Sequence, residues 1–299
     1  MDFKKTFSEY VDEANKALKK YAILPEEDYQ KTVLEAMNYS LEAGGKRLRP
    51  VFMKAVFDAF GGKGEAVYPF MAAIEQIHTY SLVHDDLPAM DNDEYRRGKK
   101  TTHVVYGEDM AILAGDALLN HAFESAIEAF ETEGADIKKV AAALKILAKE
   151  AGIYGMVGGQ VADVEAEDKS LKMDDERIDF IFRLKTGALI KSAMTIGATL
   201  AGAADDEIEK VGNAALDIGI AFQIQDDILD IYGDEQKLGK PVGSDEKNNK
   251  ITYVTLNGLE KSQADVKAYS ERAINTLKEL PYDTEFIEML AESLIGRDK

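Results

Sequence analysis

Apolar residues recur at spacings of three and four along most of this chain, which is the period of an amphipathic α-helix. Between residues 3 and 22, for example, Phe3, Phe7, Tyr10 and Leu18 mark one apolar face of a predicted helix. The same pattern predicts further helices over residues 28–43, 51–60, 68–84, 108–131, 136–157, 174–201, 205–232 and 262–279.

The predicted fold is all-α. No run of residues alternates between polar and apolar clearly enough to predict a β-strand. Several predicted helices are apolar on more than one face, and such helices lie in the interior of a protein. We therefore expect roughly ten or more helices around a central cavity. Because there is no linker rich in Ser, Gly or Pro, we expect a single domain over residues 1–299.

Composition narrows the functional classes. The chain has 299 residues, of which 45% are hydrophobic, so it can bury a large core. It contains no cysteine, which excludes disulfides, thiolate catalysis and cysteine-bound metals. No long apolar run or signal peptide is recognisable, so we expect a soluble cytoplasmic protein. A net charge of −19 disfavours binding to nucleic acid or to an anionic membrane surface.

Two clusters of aspartates, in residues 85–91 and 226–230, each follow a strongly apolar stretch. Adjacent carboxylates repel each other, and poor solvation further disfavours their ionised form. A bound cation would offset both effects. Hard oxygen ligands suit Mg²⁺, which binds through one or two carboxylates, waters and substrate phosphates. The two clusters therefore predict a diphosphate held between two acidic walls by shared metal ions.

The two clusters differ in local structure. In a helix, Asp226 and Asp230 are four residues apart and share a face, whereas Asp227 points elsewhere. In the first cluster, Pro88 disfavours a continuous helix, so the helix should end near Asp86 and a turn should bring Asp91 back. A solvated acidic patch is the alternative, and the mainly apolar surroundings disfavour it.

Two basic clusters stand out against the acidic background. One contains Lys46, Arg47 and Arg49, and the other begins at Arg96, five residues after Asp91. Solvated surface charge is the simple interpretation of both. Guanidinium groups that closely follow metal-binding acids indicate a phosphate site, because Arg binds phosphate oxygens bidentately. The second cluster consists of Arg96, Arg97, Lys99 and Lys100.

Several motifs in a fixed order resemble those of the trans-isoprenyl diphosphate synthases. The Pro88-Ala89 insertion within the first aspartate motif resembles the bacterial farnesyl diphosphate synthases in particular. The likeness spans nearly the whole chain. Its motifs are Gly44-Gly45-Lys46-Arg47-Leu48-Arg49-Pro50, residues 85–98, Gly159-Gln160 with Asp163, Lys185-Thr186-Gly187, residues 222–230 and Leu238-Gly239-Lys240.

The resemblance implies the isoprenoid synthase fold, a typically homodimeric enzyme and Mg²⁺, with more than one ion in each active site. Loss of diphosphate from an allylic substrate would leave a carbocation that isopentenyl diphosphate attacks. Asp85, Asp91, Asp226, Lys185 and Arg96 are the implied catalytic residues. The implied metal ligands are Asp85, Asp86, Asp91, Asp163, Asp226, Asp227 and Asp230.

The resemblance also implies two substrate sites. Thr186 and Gln223 would face the carbocation with oxygen dipoles. The allylic diphosphate site would comprise Arg96, Lys185, Thr186, Gln223 and Lys240. The isopentenyl diphosphate site would comprise Lys46, Arg49, His78 and Arg97.

Product length is predicted from Tyr80, which lies five residues before Asp85, or about 7.5 Å along a helix. In the family, an aromatic residue at this position accompanies a C15 product, so we expect farnesyl diphosphate. His84 is expected to be structural. A geranylgeranyl (C20) diphosphate synthase is the main alternative; a terpene cyclase and a non-catalytic regulatory subunit are less favoured, because both aspartate motifs and the basic cluster are intact.

Overall fold

The chain forms two compact helical units in a computed structural model. We call residues 2–54 and 63–144 the N-terminal unit; the C-terminal unit contains Met1, 55–62 and 145–299. The all-α fold class is confirmed, and one domain over residues 1–299 stays a prediction. The structure describes residues 1–23, 28–166, 171, 173–232 and 251–296.

The N-terminal unit is built around a helix that is buried along most of its length. Its residues Phe70, Met71, Ile74 and Ile77 are inaccessible to solvent because the helix is apolar on most of its surface. This helix, α4 (Val67–Asp85), packs mainly against α6 (Glu108–Ile127). The helices are α1 (Phe3–Lys20), α2 (Lys31–Leu41), α3 (Leu48–Ala59), α4 (Val67–Asp85), α5 (Thr102–Tyr106), α6 (Glu108–Ile127), a 3₁₀ turn (Glu128–Glu131) and α7 (Ile137–Ala151), of which α3 and α7 continue into the C-terminal unit.

A short hairpin in the N-terminal unit corrects the expectation that the chain has no strand. Strand β1 (Tyr95–Arg96) pairs antiparallel with β2 (Lys99–Lys100). Arg97 and Gly98 have φ of 53° and 76°, the left-handed conformation that a two-residue hairpin turn requires. Strands of two residues are too short to produce a period in the sequence. The turn fixes the backbone that carries the two predicted phosphate-binding arginines.

The C-terminal unit surrounds a long central helix, α11 (Asp205–Tyr232), which packs against α10 (Ala188–Ala201) and α13 (Leu259–Lys278). Ile220, Ile224 and Ile228 of this helix belong to an apolar cluster that also includes Ile178 and Val266. The elements are α8 (Met156–Glu165), α9 (Asp175–Ile181), a π-helical segment (Phe182–Gly187), α10 (Ala188–Ala201), α11 (Asp205–Tyr232), α12 (Tyr253–Asn257), α13 (Leu259–Lys278) and α14 (Glu285–Ile295).

Two predicted helices are not regular α-helices over their whole length. The stretch 136–157 breaks after Ala151, and α8 begins at Met156, because the intervening residues 152–155 include two glycines and form turns. The stretch 174–201 is helical throughout, but residues 182–187 adopt π geometry. Apolar periodicity does not report either change, since it records which face is buried and not the hydrogen-bond pattern. None of the described helices is long and apolar enough to cross a membrane.

Candidate active site

The first aspartate motif forms the turn that its proline predicts. Helix α4 ends at Asp85, and Asp86 is its C-cap. The N–H of Asp91 donates to the carbonyl oxygen of Asp85 at 2.9 Å, and that of Asn92 donates to Leu87 at 3.1 Å. The prediction that a turn brings Asp91 back toward the end of the helix is therefore confirmed.

Asp86 and Arg96 form a close ion pair. Arg96 Nε and Nη2 lie 2.7 and 2.6 Å from Asp86 Oδ1. Burial raises the pKa of Asp86, and the Arg96 charge offsets this shift only in part. Burial opposes the charge of Arg96, but the hydrogen bond and charge of Asp86 outweigh it and raise the pKa of the guanidinium. A predicted metal ligand and a predicted diphosphate ligand thus neutralise each other here.

A cluster of arginines surrounds His78 in the N-terminal unit. Burial, followed by the charges of Arg49 and Arg97, holds the pKa of His78 well below its usual value. His78 is therefore neutral near pH 7, so it can donate a hydrogen bond without adding another positive charge. Arg96 and Arg47 also contribute to the shift. Such a concentration of positive charge is the electrostatic signature of an anion site.

Arg49 is the group in this cluster whose bonding is incomplete. Its Nε is buried and has no hydrogen-bond partner within the described part of the chain. Burial, offset in part by the charge of Glu75, lowers its pKa to about 10, which still leaves the guanidinium charged at neutral pH. A buried donor without a partner costs free energy unless a ligand satisfies it. Arg49 is therefore suited to bind an anion, and its role in binding isopentenyl diphosphate stays a prediction.

Arg47 has a different role from its neighbours in the basic motif. Its side chain is buried and donates to Glu75 Oε1 at 2.9 Å, to Asn15 Oδ1 at 3.1 Å and to the Leu41 carbonyl at 2.8 Å. Its φ of 52° lies in the left-handed region, which is uncommon for a residue other than glycine. Arg47 therefore anchors the loop, whereas Lys46 is exposed.

Glu75 is a residue of this site that sequence reasoning missed. It is 2% exposed and supplies the carboxylate that pairs with Arg47. Its charge also favours the charged forms of Arg49 and Arg97. The sequence did contain a signal for this role, because Glu75 is a charged residue within the apolar run of α4, three residues before His78.

The hairpin is attached to the basic loop by backbone acceptors. Arg97 Nη1 donates to the carbonyl oxygen of Gly44. Lys99 Nζ donates to the Glu42 carbonyl at 3.2 Å, and the Tyr39 hydroxyl donates to the Lys100 carbonyl at 2.7 Å. Lys99 and Lys100, which the sequence grouped with the phosphate-binding arginines, belong to this attachment.

The described groups predicted for the allylic substrate in the C-terminal unit line one open pocket, whose empty volume of about 610 Å³ includes open solvent. Lys185 Nζ donates to Asp163 Oδ2 at 2.5 Å. The Thr186 hydroxyl donates to Gln223 Oε1 at 2.9 Å, so the lone pairs of the hydroxyl oxygen remain available. The pocket is lined by these four residues and by Ala166, Met173, Ile178, Ile181, Phe182, Asp227, Ile251 and Thr252.

The second aspartate motif lies on an unbroken part of α11. Asp226 is half-buried and Asp230 is 4% exposed, and the regular helix keeps both on one face. Asp227, on another face, accepts a hydrogen bond from the N–H of Tyr253 at 2.8 Å. It therefore stabilises the first turn of α12 besides lining the pocket.

The carboxylate oxygens of each aspartate motif are ligands of the type that Mg²⁺ prefers. No group of three acidic or histidine side chains among the described residues is arranged as a metal site. Mg²⁺ commonly takes one or two carboxylates and completes its shell with waters and substrate phosphates, so such a group is not required. Lys240, a predicted diphosphate ligand, lies outside the described residues.

Tyr80 and His84 pack against each other near the end of α4. Their rings meet edge to face with centroids 5.8 Å apart. His84 Nε2 lies 3.1 Å from the carbonyl of Ile112, which can only accept, so this nitrogen is the donor. Tyr80 is 6% exposed, and burial raises its pKa to about 12. His84 thus has the packing role expected of it.

The comparison with known proteins decides the family. The profile of the family described as polyprenyl synthetase matches residues 30–289. The chain belongs to this family. It is 44% identical over 269 residues to a farnesyl diphosphate synthase from Geobacillus stearothermophilus, and the match covers 88% of each chain. It is also 44% identical over 259 residues to a geranylgeranyl diphosphate synthase from Cyanophora paradoxa, covering 87% of this chain and 85% of the other.

Solved structures agree with this assignment. A geranyltransferase from Helicobacter pylori, crystallised with magnesium and isoprenyl diphosphate, superposes with a TM-score of 0.81. It is 30% identical in sequence, and the superposition covers 97% of this chain and 96% of the other. The family resemblance and the all-α fold expected from the sequence motifs are therefore confirmed.

Proposed function

We propose that this polyprenyl synthetase is a short-chain trans-prenyltransferase. It condenses isopentenyl diphosphate with dimethylallyl diphosphate and then with geranyl diphosphate, giving farnesyl diphosphate. The observation that carries the proposal is the arginine cluster around neutral His78, next to the aspartate turn in a protein of net charge −19. Positive charge concentrated against such a background supports a site for a highly charged anion.

The allylic diphosphate is the leaving group of the proposed reaction. Asp85, Asp91 and Asp226 would hold Mg²⁺, with Asp86, Asp163, Asp227 and Asp230 as further ligands. When bound, Mg²⁺ acts as a Lewis acid that neutralises the departing diphosphate. Arg96 and Lys185 would bind the same diphosphate, and their carboxylate partners, Asp86 and Asp163, hold the two side chains in place. Lys240 belongs to this group by the family motif.

The C–O bond of the allylic substrate breaks, and the diphosphate leaves with the electron pair. Thr186 and Gln223 would present oxygen dipoles to the resulting allylic cation. Their mutual hydrogen bond of 2.9 Å supports this role, because it uses the Thr186 proton and leaves its oxygen as an acceptor. A pocket with apolar walls also limits quenching of the cation by water.

Isopentenyl diphosphate is the proposed ligand of Lys46, Arg49, His78 and Arg97. Its double bond attacks the cation to form the 1′-4 carbon–carbon bond, and loss of a proton restores a double bond. The released diphosphate is the proposed proton acceptor. The partnerless Nε of Arg49 supports an anion at this site, because an acceptor there would satisfy it.

One incubation tests the proposal. Purified protein would receive Mg²⁺, isopentenyl diphosphate and dimethylallyl diphosphate, and products would be separated by chain length. We expect release of diphosphate and a C15 product. A C20 product would favour the geranylgeranyl synthase alternative, which the similarity to the Cyanophora paradoxa relative supports. A cyclic hydrocarbon would indicate a terpene cyclase, and absence of turnover would overturn the enzyme proposal in favour of a regulatory subunit.

The proposed enzyme is a cytoplasmic homodimer that binds small isoprenoid diphosphates and neither nucleic acid nor a membrane. Several aliphatic side chains on described helices are exposed, and we propose that they contribute to the subunit interface. Analytical ultracentrifugation should give twice the chain mass of 32.9 kDa. These side chains are Val104, Val105, Ile112 and Leu113 in the N-terminal unit and Val157, Val161 and Val164 on α8.

A further inference from the structure

The π-helical segment of the C-terminal unit touches two helices at glycines. Each glycine lies four residues before the side chain that its helix contributes to the pocket: Gly159 precedes Asp163 on α8, and Gly219 precedes Gln223 on α11. Residues four apart share a helix face. The same face of each helix therefore carries both the contact with the segment and the pocket residue.

The contact at Gly159 involves backbone atoms. A Cβ added at this position would lie 2.1 Å from the nitrogen of Lys185, 2.6 Å from the carbonyl carbon of Leu184 and 2.7 Å from the Cα of Lys185. Backbone atoms cannot rotate away as a side chain can, so any residue other than glycine must push the segment and α8 apart.

The contact at Gly219 is similar. An added Cβ would lie 2.7 Å from the Cα of Gly187 and 3.4 Å from its nitrogen. The backbones of α11 and the π-helical segment thus meet where neither residue has a side chain. This close approach brings the Gln223 side chain to the Thr186 hydroxyl, just as the contact at Gly159 brings Asp163 to Lys185.

We propose that Gly159 and Gly219 are positioning residues that clamp the π-helical segment and so set the location of Lys185 and Thr186. This inference rests on the proposed function of that pocket. The π geometry contributes because it displaces the backbone of Lys185 and Thr186 from the path of a regular α-helix. Such π-helical segments frequently occur at functional sites. The clamp accounts for how groups from three elements reach hydrogen-bonding distance.

The test is alanine substitution at each glycine. Gly159→Ala and Gly219→Ala should each lower kcat by about 100-fold, since a displacement of about 1 Å can cost that much. The KM for isopentenyl diphosphate should change by less than about twofold, because its proposed ligands belong to the N-terminal unit and do not touch either glycine. Such a split between kcat and KM is not expected from general damage to the fold.

Gly212→Ala is the matched control on α11. Its Cβ would meet the Thr195 methyl at 3.3 Å, a side-chain contact that a small adjustment relieves. It should keep wild-type kcat and KM, since alanine also favours a helix over glycine by roughly 1 kcal/mol. Circular dichroism and thermal unfolding would be recorded for all three variants. If Gly159→Ala fails to fold, Gly219→Ala carries the test, because its contact is less severe.

A double-mutant cycle checks the route of the effect. If Gly159 acts through Lys185, adding Gly159→Ala to Lys185→Ala should slow the enzyme by less than about threefold, whereas independent effects would multiply. Full multiplication, wild-type kcat in both glycine variants, or an equal change in KM would each overturn the clamp.

The clamp and the proposed reaction can fail separately. An inactive wild-type protein would defeat the proposed reaction, and a crystal structure of Gly159→Ala would then decide the clamp. Separation of Lys185 Nζ from Asp163 Oδ2 beyond hydrogen-bonding distance would support it, and an unchanged distance would overturn it.

Discussion

The candidate site residues of the two units are held by different physical means. In the N-terminal unit, buried charges and left-handed backbone hold the groups: Arg47 pairs with Glu75, Arg96 pairs with Asp86, and both loops bend at residues with positive φ. In the C-terminal unit, helices α8 and α11 each approach the backbone of the π-helical segment closely at a glycine. Residues held by charge can be recognised in the sequence as charged motifs. Residues held by close packing are marked in the sequence by little more than the glycines at the contacts.

The largest expected effect tests whether the aspartates of the two units act on one substrate, as we propose. Asp85→Ala and Asp226→Ala should each lower kcat about 10³-fold, because each removes a carboxylate proposed to hold Mg²⁺ on the leaving diphosphate, and metal stabilisation contributes several kcal/mol. Steady-state kinetics with saturating substrates would measure this loss.

The exposed Asp12→Ala is the control and should be fully active. The double variant of Asp85 and Asp226 should be only slightly slower than either single variant, because both act on the same diphosphate. Independent, multiplying losses would contradict a shared substrate.

The next effect tests whether buried charge, rather than packing, holds the basic loop of the N-terminal unit. Glu75→Gln leaves the buried Arg47 guanidinium without a charged partner, and breaking such a pair costs about 3 kcal/mol or more. Urea unfolding should show this loss of stability, and the KM for isopentenyl diphosphate should rise.

Lys5→Gln, which disrupts an exposed pair with Glu9, is the control and should change the free energy of unfolding by less than about 1 kcal/mol. If Glu75→Gln had an equally small effect, the basic loop would not depend on its buried charge.

A smaller effect should appear in the pH dependence of stability. The pKa of His78 in the folded state lies well below its usual 6.5, so the unfolded chain binds more protons between the two values. The contribution of His78 to the free energy of unfolding is therefore fully present above pH 6.5. It is lost as the pH falls toward the pKa of the folded state, at up to about 1.4 kcal/mol per pH unit. Urea midpoints at pH 7 and pH 5.5 would measure it.

His78→Asn should flatten this dependence, since the variant has no group that titrates at that position. An unchanged slope in the variant would show that His78 is not the group responsible, and that the arginine cluster does not suppress its protonation.

The smallest expected effect on rate is a change of product. Tyr80→Ala should lengthen the main product from C15 to C20, because the ring proposed to limit chain growth is removed, while turnover falls by less than about tenfold. Chromatography of the dephosphorylated products would measure their lengths. The surface variant Tyr29→Ala should leave the product unchanged, and a C15 product from Tyr80→Ala would contradict the assignment.

Prediction succeeded where a local rule governs the structure. Pro88 ends α4 and creates the turn to Asp91 because of sterics between adjacent residues. The helical face of Asp226 and Asp230 follows from the 3.6-residue period alone. Prediction was less complete where partners are distant in sequence. Arg47 was placed in a basic cluster with Lys46 and Arg49, yet its side chain bonds Asn15, Leu41 and Glu75.

By itself the sequence determined the all-α class, the family and the residue types of the site, because periodicity, turn chemistry and motif order are local properties. Tertiary structure decided which of those residues meet. It paired Asp86 with Arg96, assigned Arg47 to a buried ion pair, and placed Lys185 and Thr186 on a π-helical segment between two glycines. These contacts depend on how the helices pack. Packing brings together residues that are far apart in the sequence, so their positions along the chain do not predict which of them meet.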